Sequence, residues 1–197
     1  MKKLESSLTN MVLVLVGVAV IMGGVLAYMN HLTSGPIEQQ KQKALTEGIK
    51  EVMNNKTAVI ARQDTLRQKD DKGKEQTFIV YEVKDNADQS LGTAVQSTTL
   101  GFGGDLKVLV GFAADGTILG YTLLEHAETP GLGAKADKWF QRDGKGNIIG
   151  KNPGTAPLDV KPAKGGKGDI DAITASTITT RAFLKAVNQA YNSYHRP

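Results

Sequence analysis

The sequence predicts an α+β protein, in which one extracytoplasmic domain with an antiparallel-rich sheet and flanking helices is carried on a single N-terminal transmembrane helix. Three observations predict it. A charge-free apolar run near the N-terminus is long enough to cross a bilayer. Short β-rich segments follow it at close spacing, two of them joined by an Asp-Gly turn. An amphipathic helix pattern closes the chain.

The first element is the run Met11 to Met29, MVLVLVGVAVIMGGVLAYM, which carries no charge. At ~1.5 Å per residue it makes a helix of about 28 Å, close to the hydrocarbon thickness of a membrane. No Asp, Glu, Lys or Arg occurs from Ser6 to Ile37. A cleaved signal peptide is the competing reading. The run is longer than a signal core, and no small-x-small cleavage site follows it. Lys2 and Lys3 precede the run, so residues 1–10 are expected in the cytoplasm, the anchor at 11–30, and the rest of the chain outside.

Residues 31–60 read as a connecting amphipathic helix. Ser34 is a candidate cap, Pro36 suits a first turn, and Leu45, Ile49, Val52 and Met53 recur at helical spacing before Asn54 and Asn55. The domain is expected over 61–197. Its strands are TFIVYEV (77–83), GTAVQS (92–97), LKVLVGF (106–112) and TILGYTLL (117–124), with Asp115-Gly116 turning the last pair. From Asp143 to Gly168, Gly, Lys, Pro and Asn dominate, which predicts long loops with apolar islands at Ile148–Ile149 and Leu158–Val160. In the terminal helix, Phe183, Val187, Ala190, Tyr191 and Tyr194 share a face.

Composition excludes several functions. The chain of 197 residues has a net charge of +4 from dispersed lysines and few aromatics, so no nucleic-acid surface is predicted. It has no cysteine, which removes disulfides, iron–sulfur clusters and thiolate metal sites. Its three histidines are not paired at a metal-ligand spacing, so no metal centre is predicted.

Two segments do not read as scaffold. HAETPGLGAK, His126 to Lys135, follows the hairpin strand directly. Pro130, Gly131 and Gly133 make a tight, bare backbone that a planar ligand can approach, with the acceptor of Glu128 and the hydroxyl of Thr129 beside it. An ordinary turn fits the same residues. The second segment is DAITASTITT, Asp171 to Thr180, where four threonines and a serine precede the last helix. One hydroxyl is enough to cap a helix. The others sit where free N–H groups and partial positive charge suit a phosphate, and a hydroxyl there can be esterified. A cap with β-rich threonines before it fits as well.

Together the segments carry a resemblance. The chain resembles the FMN-binding domain family, which includes the G subunits of Rnf-type ion-translocating electron-transport complexes and the C subunits of sodium-pumping NADH:quinone oxidoreductases. The likeness covers most of the chain, including the anchor, GFGGDLKVLVGFAADGTILGYTLLEHAETPGLG and GDIDAITASTITTRAFLKAV. The family's ETPGLG element stands intact at Glu128, Thr129, Pro130, Gly131, Leu132 and Gly133. Its flavinylation motif falls on Asp171 to Thr177, with Ala175 where Gly is usual and Ser176 where Ala is usual. The first change adds a methyl group where a left-handed backbone is expected. The second adds a hydroxyl beside the acceptor.

The resemblance implies FMN bound through a phosphoester to Thr177, with Thr174, Ala175 and Ser176 shaping the phosphate turn and Thr179 and Thr180 capping the helix. It implies a ring lying against Glu128–Gly133, with Leu132 packed on it and Thr129 bonded to its polar edge. It also implies a single-pass protein of the bacterial inner membrane that relays electrons between ferredoxin and NAD within a complex. That protein would work only with the other membrane subunits and would be matured by an ApbE-type flavin transferase that takes FMN from FAD. The compact chain sits nearer the Rnf type than the longer sodium-pump type. A stand-alone membrane-anchored flavin reductase and a flavin-free anchored scaffold of pilin-like plan are the competing classes.

Overall fold

The computed structural model describes residues 8–69, 73, 75–161 and 168–194. Lys2 and Lys3, on which the orientation reading rests, lie outside them. The chain divides into two units, one ending at Lys43 and one beginning at Ala44.

The first unit is helical. Its described residues lie within α1 (Leu8–Val52), whose apolar stretch is exposed along its length and which, among the described residues, is the one helix long and apolar enough to cross a membrane. The helix is continuous through the expected break at Ser34. The Ser34 hydroxyl turns back to donate to the His31 carbonyl at 3.0 Å, and Thr33 donates to Met29 at 2.8 Å. A hydroxyl spent on the preceding turn does not cap the next one. Pro36 therefore lies inside the helix. The helix stops at Val52, short of residue 60, and Asn54 takes a left-handed conformation with φ 48°.

The second unit is an antiparallel meander in the order β1–β2–β3–β4–β5. The strands are β1 (Val59–Lys69), β2 (Glu75–Lys84), β3 (Ser90–Leu100), β4 (Asp105–Phe112) and β5 (Ile118–Glu125). The four expected strands are all present. β1 is an addition, an edge strand paired with β2 alone. At the β4–β5 turn only Gly116 is left-handed, with φ 85°, and the Asp115 carboxylate instead accepts hydrogen bonds from the Thr117 N–H and hydroxyl.

Both sheet faces are covered, so the strands bury residues of both parities. One face packs against α3 (Thr177–Tyr194), where Val95, Val108, Val110 and Phe112 meet Phe183, Leu184, Val187 and Tyr191. The other takes the end of α1, where Ile49, Val52 and Met53 meet Tyr81, Val83, Ala94 and Leu109. The paired glycines Gly111 and Gly120 let the Val52 carbonyl sit against the strands, since a Cβ at either would lie 2.7 Å from it.

After β5 come a 3-10 turn (Gly133–Lys135) and the short helix α2 (Ala136–Trp139). Tyr121 holds them down. Its hydroxyl donates to the Ala136 carbonyl at 2.6 Å and accepts from the Phe140 N–H at 3.2 Å. Phe140 stacks on Phe183 of α3 with centroids 4.3 Å apart, which ties the loop after β5 to the last helix.

Burial pushes the hydroxyl pKa of Tyr81 and Tyr121 upward, and that of Tyr194 up to about 12. A raised phenol pKa means that the fold favours the neutral form. Its contribution to stability is complete below the ordinary value of about 10 and is lost as pH rises through the folded values. The melting temperature should hold level to about pH 10 and then fall steadily. A scan that stays flat to about pH 12 would show these phenols to be free to ionise in place.

Candidate functional site

The loop after β5 and the start of α3 meet at one cleft of about 390 Å³. Each arrives through a β-turn with a left-handed third residue. In the first, the Leu132 N–H donates to the Thr129 carbonyl at 3.2 Å across Pro130 and Gly131, with Gly131 at φ 75°. Proline second and glycine third is what a type II turn requires. In the second, the Ser176 N–H donates to the Ile173 carbonyl at 3.0 Å across Thr174 and Ala175, with Ala175 at φ 59°.

Ala175 thus holds the left-handed conformation that its methyl group disfavours. Replacing it with glycine should raise stability by about 1 kcal/mol, because the strain of a Cβ in that region is removed. Thermal melting checks this, and a lower melting temperature in Ala175→Gly would contradict it.

The second turn delivers the chain into α3, whose first helical residue is Thr177. Ser176 is the residue before it, and its carbonyl accepts the Thr180 N–H and hydroxyl, both at 3.0 Å. Ser176 is buried and Thr177 exposed. The N–H groups of Thr177, Ile178 and Thr179, and the Thr177 hydroxyl, make no hydrogen bond among the described residues. They leave the positive end of α3 open toward the cleft.

Thr179 and Thr180 do other work than the capping expected of them. The Thr180 hydroxyl accepts from the Ile173 N–H at 3.1 Å, which closes the second turn on itself. The Thr179 hydroxyl donates to Glu128 Oε2 at 2.7 Å. Glu128 is buried, and its other oxygen accepts from the Phe102 N–H at 2.7 Å and the Gly103 N–H at 3.3 Å. One carboxylate therefore joins the β3–β4 turn, the loop after β5 and the start of α3. The expected acceptor is present, but the protein's own groups occupy it. Gly133 packs beneath the same junction, where a Cβ would lie 2.4 Å from Glu128 Oε2 and 2.8 Å from the Thr179 hydroxyl.

Of the residues expected at a site, Glu128, Thr129, Leu132, Gly133, Ala175, Ser176 and Thr177 line the cleft. Pro130, Gly131 and Thr174 do not. They form the central positions of the two turns that bring the others there. Sequence reasoning missed Phe102 and Ile178, which also line it and are 69% and 59% exposed. Phe102 could have been noticed as the lone side chain among the glycines of GFGG.

A cleft lined by apolar side chains, with open N–H groups and a free hydroxyl at one side, suits a ligand that joins an apolar body to a phosphate. A family model described as FMN-binding domain matches residues 101–192, which include both turns. The chain is 36% identical over 173 residues to the G subunit of the ion-translocating oxidoreductase complex of Vibrio atlanticus, covering 85% of this chain and 80% of that protein. It is 31% identical over 188 residues to the G subunit of the Na(+)-translocating ferredoxin:NAD(+) oxidoreductase complex of Acetobacterium woodii, covering 92% and 89%. The chain belongs to this family, the FMN-binding G subunits of ion-translocating oxidoreductase complexes. The crystal structure of the C subunit of the Na(+)-translocating NADH-quinone reductase of Parabacteroides distasonis has the same fold. It matches with a TM-score of 0.52 at 20% identity, over 80% of this chain and 93% of that one.

Proposed function

We propose that the chain carries FMN as a phosphoester on Thr177 and relays electrons within a membrane complex that exchanges them between ferredoxin and NAD. The observation that carries this reading is the contrast between neighbouring hydroxyls. Thr177 is exposed, unbonded among the described residues, and lines the cleft at the first position of α3. Ser176 is buried at the turn, and Thr174 lies outside the cleft. In maturation the Thr177 oxygen would bond to the FMN phosphorus of FAD as the pyrophosphate bond breaks, with AMP as the leaving group and the hydroxyl proton released with it. An ApbE-type flavin transferase serves as the partner for this step.

When bound, FMN supplies one- and two-electron redox chemistry. The residues of this chain supply position. The open N–H groups of Thr177, Ile178 and Thr179 would hold the phosphate, Leu132 would offer an apolar surface to the ring, and Thr129 would offer it a hydroxyl; all five residues line the cleft. Helix α1 provides the anchor, with the N-terminus in the cytoplasm, the flavin domain outside, and the bacterial inner membrane as the location. No charged residue lies in its apolar stretch, so ion passage belongs to the other subunits. The two sequence relatives named above are G subunits, whereas the likeness to the C subunit is one of fold, which favours the ferredoxin and NAD reading.

The test is flavin fluorescence on a denaturing gel after co-expression with a flavin transferase. A fluorescent band at the mass of the chain is expected. A dark band beside a flavinylated control protein would remove the covalent carrier and leave an anchored scaffold.

A further inference from the structure

The geometry points to Phe102 as a flavin-contacting side chain that covers the ring against water. This rests on the electron-carrier reading above and goes beyond the segments to which that reading assigns the cofactor.

Phe102 sits on the turn between β3 and β4, within Gly101-Phe102-Gly103-Gly104. The turn is closed by the Gly101 N–H donating to the Gly104 carbonyl at 2.8 Å. Its glycines answer to packing. A Cβ at Gly101 would lie 2.1 Å from Glu128 Oε1, and one at Gly103 would lie 2.0 Å from the Ala127 carbonyl oxygen. The turn is pressed onto the segment before Thr129, and the Glu128 carboxylate grips the N–H groups of Phe102 and Gly103. A turn held this closely offers one side chain, and that side chain is a large aromatic left 69% exposed where it lines the cleft. The same carboxylate holds Thr179, which itself lines the cleft near the start of α3. Glu128 thus fixes the distance between Phe102 and the start of α3. It is a positioning residue, and Phe102 is the group it positions. A single exposed aromatic needs no explanation on an ordinary surface, but a rigid mount aimed into a ligand cleft does.

The experiment uses the full chain, flavinylated by co-expression and held in detergent, and reads quenching of its flavin fluorescence by iodide. Phe102→Ala should raise the quenching constant several-fold, and Phe102→Tyr should restore the parent value. Leu100→Ala is the control, because Leu100 is 74% exposed beside the same turn but does not line the cleft. It should leave quenching unchanged. Equal quenching in Phe102→Ala and the parent overturns the assignment. Loss of covalent flavin in Phe102→Ala also overturns it, since the residue would then serve attachment and not cover. A parent chain with no covalent flavin on the gel defeats the electron-carrier reading itself, and this proposal with it.

Discussion

Thr177→Ala should abolish the covalent flavin and reduce electron flow through the assembled complex to background. The hydroxyl it removes, on the first residue of α3, is exposed and lies in the cleft. Its neighbours are poor substitutes for physical reasons. The Ser176 backbone closes the turn and receives Thr180, and the residue is only 8% exposed, so a transferase would have to open the start of α3 to reach its hydroxyl. Thr174 is exposed but stands outside the cleft. Ser176→Ala should therefore keep the fluorescent band, and it returns the motif to the residue usual there. The reverse outcome, a band kept in Thr177→Ala and lost in Ser176→Ala, would move the attachment by one residue. It would also imply that the turn seen here rearranges during maturation.

The second large effect is expected at Glu128. Glu128→Ala removes an acceptor shared by three donors at 2.7 Å, 2.7 Å and 3.3 Å. Hydrogen bonds to a charged group contribute about 1.5–3 kcal/mol each. The longest counts for less, and removing a buried carboxylate returns part of its desolvation cost. A net loss of about 3 kcal/mol follows, or roughly 6–12 °C in melting temperature for a chain of this size. Flavin yield should fall as well, because the start of α3 loses its tie to the loop after β5. Gly133→Ala should act in the same direction by pushing on the same carboxylate and on Thr179. A Glu128→Ala protein that melts with the parent would mean that water takes the place of the carboxylate at no cost, and the junction would then organise nothing.

Much of the fold was legible because burial on one or both faces leaves a pattern. β4 reads as Leu106, Val108, Val110 and Phe112 toward α3 with Leu109 toward α1, and no helix fits that alternation. β1 was invisible for the opposite reason. VIARQDTLRQK is exposed along most of its length, so no apolar period distinguishes it from a loop, and only pairing with β2 makes it a strand. The break in α1 was misread because Ser34 and Pro36 spell a helix start. Nothing local says that the Ser34 hydroxyl will turn backward.

The site was legible in its two chain segments and not in what joins them. Glycines and hydroxyls marked both turns. That Glu128 faces inward to Thr179, and that Phe102 arrives from a third segment, depends on strand register. The hairpin that pairs Leu100 with Asp105 leaves the Gly101–Gly104 turn beside Ala127 and Glu128. A sequence carries that register only weakly. The left-handed backbone at Ala175 was anticipated from the usual glycine, and the turn adopts it with the methyl group in place.

The most direct test of Thr177 as the flavin carrier is to locate the modification. The full chain, co-expressed with a flavin transferase, is digested, and the peptide spanning Asp171 to Thr180 is sequenced by tandem mass spectrometry. FMN, joined with loss of water, is expected on Thr177, with Thr174, Ser176, Thr179 and Thr180 unmodified. FMN on any of those four, or an unmodified peptide from a preparation whose control protein is fully flavinylated, would contradict it.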